Sequence, residues 1–91
     1  MFAFFGLMMT HYVYILKSLK SGLYFKGMTQ NVANRLKEHN AGEMNFTSAH
    51  IPWILIGIIE KPTKSEALIL ERKLKNLSKS RIDEFIEKYC A

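Results

Sequence analysis

The chain has one cysteine, two prolines and five glycines in 91 residues. Cys90 alone cannot close an internal disulfide, and no Cys or His stands beside it at zinc-binding spacing. It reads as an incidental thiol near the chain end, and a reducing, cytoplasmic setting fits. So little Gly and Pro excludes a low-complexity linker. There is no strand–glycine-rich loop–helix phosphate cradle, no Rossmann glycine pattern and no nucleophile elbow. Long apolar runs are missing too. The most apolar stretch, residues 1–9, has no Lys or Arg before it and no small-residue cleavage site after it, so it does not read as a signal sequence. Nor is it long enough to span a bilayer, which takes about 20 residues. Two readings of it stay open. It is either an over-extended start, with Met9 the true first residue, or a short arm that packs on the body or on a partner chain.

What remains is ordinary globular composition, 48% hydrophobic and 23% charged, enough for one domain over residues 10–91. Thirteen Lys and Arg against eight Asp and Glu leave a net charge of +5. A basic surface attracts polyanions, nucleic acid first among them. Charge alone leaves DNA binding and a merely solvated basic surface equally open.

Residues His11 to Ser18 are β-branched, aromatic or apolar enough for a strand. Leu19 to Gly22 forms a turn, and Leu23 to Met28 a second strand, giving an antiparallel hairpin. Asn31 is a helix N-cap, and Val32, Ala33 and Leu36 mark the buried stripe of a helix to about Asn40, stopped by Ala41-Gly42. Glu43 to Pro52 reads as a polar loop. Trp53 to Glu60 is nearly all apolar, which predicts a central strand buried on both faces. Thr63 and Glu66 form a capping box before a helix with Ala67, Leu70, Leu74 and Leu77 on one face. A last helix begins near Ser80, with Ile82, Phe85 and Ile86 inward. The expected class is α+β: three antiparallel strands flanked by helices, in the order β-β-α-β-α-α.

Three groups of residues could carry chemistry. Arg35 and His39 are spaced i, i+4 on one helix face. A guanidinium suits phosphate, and a histidine can shuttle a proton, but this helix alone reads more readily as a solvated basic face. Glu71 borders the buried stripe of its helix; it is a metal ligand or the partner of Lys75 in an ordinary ion pair. Tyr12 and Tyr14 share one face of the first strand, while Tyr24 and Phe25 point to opposite faces of the second. Strand aromatics are more often core than catalytic.

The ordered set resembles the GIY-YIG nuclease family, and within it the small stand-alone bacterial members. Tyr12-Val13-Tyr14 with Ile15-Leu16-Lys17 resembles the GIY element. Phe25-Lys26-Gly27 stands in the YIG position eleven residues after Tyr14, with Arg35 eight residues beyond Gly27 and His39 four more. Phe46-Thr47, Pro52-Trp53 and Glu66-Ala67 followed by Glu71 complete the pattern. The resemblance implies a DNA endonuclease of low sequence specificity, acting on branched, nicked or damaged DNA with one divalent ion, Mg²⁺ or Mn²⁺. It implies no organic cofactor, no membrane, and a monomer or homodimer. Glu71 would hold the metal, Arg35 would polarise the scissile phosphate, Tyr14 would lie beside the attacking water, and His39 would move a proton or bind phosphate. Lys26, Gly27 and Thr47 would line the substrate. The family's second tyrosine is Phe25 here, which has no hydroxyl. Loss of one acid–base group costs about 10²–10⁴-fold in rate. Either Tyr14, His39 or the bound ion compensates, or the chain is a weakened DNA-binding or protein-interaction module.

Overall fold

The computed structural model describes residues 10–90. The start or arm expected at residues 1–9 lies outside the described residues. Three strands form one antiparallel sheet: β1 (His11–Ser18), β2 (Tyr24–Thr29) and β3 (Trp53–Lys61), in the order β2-β1-β3. Four helices accompany it: α1 (Val32–Asn40), α2 (Asn45–Ser48), α3 (Lys64–Lys75) and α4 (Lys79–Tyr89). No helix among the described residues is long and apolar enough to cross a membrane.

β1 is the central strand, and side chains alternate along it, so it feeds two cores. Val13 and Ile15 pack with Ala67 and Leu74 of α3 and Ile82 of α4. Tyr14 and Leu16 pack on the other face with Trp53, backed by Phe25, Val32, Leu36 and Ile51. The predicted alternation of Val32 and Leu36, and of Ala67, Leu70, Leu74 and Leu77, therefore points at opposite faces of the same sheet. The β1–β2 turn is tied by Ser18, whose Oγ accepts from the Lys20 and Ser21 amides at 3.1 and 2.9 Å. Gly22 follows at φ 79°, a conformation that favours glycine.

Two expectations are corrected. β3 is an edge strand, not the central one, and Ile54, Leu55 and Ile58 are 40, 38 and 41% exposed. A continuous apolar run signals two-sided burial only if both neighbours exist; β3 pairs with β1 alone. The loop from Glu43 to Pro52 contains the single-turn helix α2, whose Thr47 is buried. The caps agree with expectation. Asn31 accepts from the Asn34 amide at 3.0 Å, and Thr63 accepts from the Glu66 amide at 3.1 Å while donating to its carboxylate. The last helix starts slightly earlier than predicted, on Ser78.

The end of α1 is stitched to the start of β3. Asn40 donates through Nδ2 to the Trp53 carbonyl at 3.0 Å and accepts from the Trp53 amide at 2.7 Å. This bracket joins the helix that carries Arg35 and His39 to the sheet. Asn40→Ala leaves both backbone groups unpaired and is expected to cost about 1–3 kcal/mol, read as a lower urea midpoint with an unchanged m-value.

Candidate active site

The centre of the second core is polar. Tyr14, 2% exposed, brings its hydroxyl 2.9 Å from His39 Nε2 across a sequence gap of 25 residues. The other ring nitrogen, His39 Nδ1, lies 2.8 Å from Thr47 Oγ1. One tautomer satisfies every group. The Tyr14 hydroxyl donates to Nε2, Nδ1–H donates to Thr47, and the Thr47 hydroxyl turns toward the Met44 carbonyl at 3.5 Å. Thr47 is held in turn by Trp53, whose Nε1–H donates to the Thr47 carbonyl at 2.9 Å.

The glycine facing Tyr14 makes this geometry possible. Tyr14 and Gly27 are direct cross-strand partners. A Cβ on Gly27 would sit 2.5 Å from Tyr14 Cζ, and closer still to the hydroxyl. Only a residue without a side chain lets the phenol lie flat over β2.

Electrostatics separate the members. Burial pushes the Tyr14 pKa up to about 12; the adjacent Arg35 guanidinium pulls the other way, and the charges of Glu71 and Glu38 push it up again. Burial also lowers the His39 pKa, helped by the Arg35 charge, so the imidazole is neutral at pH 7. Arg35 Nε pairs with Glu38 Oε1 at 3.0 Å and its side chain is 35% exposed. It is the cation of this cluster that meets solvent. Glu71 is 14% exposed along its side chain and only loosely paired to Lys75, at 3.8 Å.

Tyr14, Arg35 and His39 thus come together, with Glu71 in electrostatic range of the same phenol. Three expectations change. His39 is wholly buried, so neither a solvated basic face nor direct phosphate binding describes it. Thr47, expected to touch substrate, is 1% exposed, and its hydroxyl is spent orienting His39. Lys26 alternates with Tyr24 and Met28 of the first core, so it stands on the opposite sheet face from Phe25 and Gly27, near Lys75. Phe25 meets His39 edge-on, with ring centroids 4.9 Å apart, and Tyr14 at 6.2 Å. Tyr24 is no substitute for the missing hydroxyl, since it faces away and donates to Asp83. The Asn40 bracket and the Thr47 support were missed. α2 is too short for a periodic signal, and a side chain that binds backbone leaves no sequence pattern.

The three-stranded sheet thus carries phenol, imidazole and guanidinium on one face, with a carboxylate on the helix behind. Residues 10–84 match the family model described as the GIY-YIG catalytic domain, and the chain belongs to the GIY-YIG family. Its relatives include UPF0213 proteins. That of Halalkalibacterium halodurans is 34% identical over 79 residues, covering 86% of this chain and 83% of the relative. That of Staphylococcus haemolyticus is 37% identical over 81 residues, covering 88% and 98%. The solution NMR structure of a UPF0213 protein from Bacillus halodurans superposes with a TM-score of 0.56 at 34% identity, over 87% of this chain and 84% of that one.

Two outcomes follow from the packing. Gly27→Ala forces Tyr14 off His39 and is expected to cost about 1–3 kcal/mol as an overpacked site; the changed environment of the His39 ring nitrogens reports it by ¹⁵N NMR. His39 is held neutral, so its folded pKa lies below the unfolded 6.5. The unfolded chain then binds the extra proton first, and stability is lost as pH falls below that value. The Tm of the parent should drop between pH 7 and 5 more steeply than that of His39→Gln.

Proposed function

We propose that this chain hydrolyses DNA phosphodiester bonds with one divalent ion, Mg²⁺ or Mn²⁺, at the sheet face where Tyr14, Arg35 and His39 meet. The observation that carries this reading is the Tyr14–His39–Thr47 hydrogen-bond relay, with the Arg35 guanidinium beside its phenol and the Glu71 charge felt there.

Among the described residues, no three His, Cys, Asp or Glu side chains gather as a metal cage. A single carboxylate, Glu71, still fits a hard ion that keeps most of its water and takes phosphate oxygens. When bound there, the ion supplies positive charge to the phosphate in the transition state.

The chain's own residues do the rest. Arg35 is always charged and half-exposed, so it binds the phosphate and stabilises the charge growing on its oxygens. Tyr14 stays protonated at neutral pH and holds the attacking water at its oxygen. As the water oxygen bonds to phosphorus, Tyr14 takes the water's proton and passes its own to neutral His39 Nε2. His39 Nδ1–H keeps its bond to Thr47, so the imidazolium stays oriented. The bond from phosphorus to the leaving oxygen breaks, and that oxygen takes a proton from solvent. With few side chains available to read base edges, sequence specificity is low, and branched, nicked or damaged DNA is the expected substrate.

A second reading is a DNA-binding module with little cleavage. Phe25 in place of a tyrosine and the 2% exposure of Tyr14 favour it. One assay separates the two: plain, nicked and flap DNA incubated with Mg²⁺ or Mn²⁺. The nuclease reading expects metal-dependent cleavage, abolished in Glu71→Gln and Arg35→Ala. It also expects a gain of about 10²-fold in Phe25→Tyr, the lower end for an acid–base group. DNA binding with no cleavage by the parent or by Phe25→Tyr selects the module.

A further inference from the structure

On the opposite sheet face from the phenol, a cavity of about 260 Å³ opens between the β1–β2 turn, β2 and the start of α4. Gly22, Tyr24, Lys26 and Lys79 line its polar side, and Leu77 and Ile82 its floor. Lys79 reaches across it. Its Nζ donates to the Gly22 carbonyl at 2.7 Å and lies 4.8 Å from the centre of the Tyr24 ring. Lys26 has no carboxylate within ion-pair distance among the described residues. Its pKa is lowered by burial and by the like charge of Lys75. The Asp83 carboxylate accepts from the Tyr24 hydroxyl and is in ion-pair distance of neither lysine. Part-buried Lys26, with no carboxylate in ion-pair distance, and exposed Lys79, bonded to a carbonyl, therefore border one cavity, and an anion seated there complements both charges.

The cavity lies on the sheet face that packs against α3, the helix that carries Glu71. Lys26 feels Lys75, Lys75 pairs with Glu71, and Glu71 is felt at Tyr14. We propose that the cavity between Lys26 and Lys79 seats a second phosphate of the substrate DNA strand, flanking the one held by Arg35. The strand then wraps the β2 edge, with one phosphate on each side of the sheet and Glu71 between them. This inference rests on the DNA reading given above, and it adds what that reading lacks: the path of the strand and a second anchoring point. Such an anchor sets the register of the scissile bond while contributing no base recognition.

The test is DNA binding by the full chain, without divalent ions, followed by fluorescence anisotropy of a labelled flap DNA across a NaCl titration. Replacing Lys26 and Lys79 together by Gln removes one phosphate contact. The slope of log K against log[NaCl] is then expected to fall by about 0.7–0.9, with weaker binding at every salt concentration. Lys79→Arg keeps the charge and should bind as the parent does. Leu23→Glu, at the exposed cavity mouth, leaves both lysines in place and is expected to weaken binding by repulsion. It provides the check if the double variant unfolds. Parent-like slope and affinity in the double variant or in Leu23→Glu, with binding weakened by Arg35→Ala, overturn the second anchor and leave the nuclease reading standing. Indifference to all of these, Arg35→Ala included, overturns both.

Discussion

Everything at the candidate site depends on one hydrogen bond between the Tyr14 hydroxyl and the His39 ring. It joins the middle of the sheet to the last turn of α1, and neither partner touches bulk water. A buried polar pair of this kind is costly unless each atom is satisfied. Thr47 completes the imidazole, Trp53 and Met44 hold Thr47, and Gly27 clears the space in which the phenol lies. Each part is meaningless without the others. The glycine matters only because a tyrosine lies opposite it, and the threonine only because a histidine needs its second nitrogen engaged.

Burial of that pair divides the labour. Desolvation favours the neutral imidazole and keeps the phenol further from ionising than a free tyrosine. Charge is left to groups nearer solvent: Arg35 on α1 and Glu71 on α3. The sheet keeps these helices on opposite faces, and the thin edge strand β2 is where their charges come within reach of one phenol. A small domain can thus build a site from both of its cores without opening either.

The same architecture explains an oddity of composition. β1 consumes both faces of the sheet, with Val13, Tyr14, Ile15 and Leu16 all buried. β3 is the more hydrophobic strand by sequence, yet it is the edge, with isoleucines and a leucine partly in water. Its role toward the site is at its first residue, where Trp53 supports Thr47 through its indole and receives Asn40 through its backbone. Position in the sheet, rather than hydrophobicity, decided which strand became the spine.

The local sequence alone determined much. The Asn31 and Thr63 caps, the antiparallel hairpin and the helical stripes follow from nearest neighbours along the chain and appear as expected, except that Ala33, read as part of the α1 stripe, is exposed. The spacing of Arg35 and His39 also appears as expected, since one helix carries both. Tertiary structure alone decided the rest: that His39 turns inward, that Thr47 serves it instead of a substrate, that Lys26 stands behind the sheet, and that β1 rather than β3 is central. Those outcomes depend on contacts between residues far apart in the chain. Periodicity reports which side of an element is apolar, but not which other element will cover it, and the protonation states of Tyr14 and His39 are set by that cover.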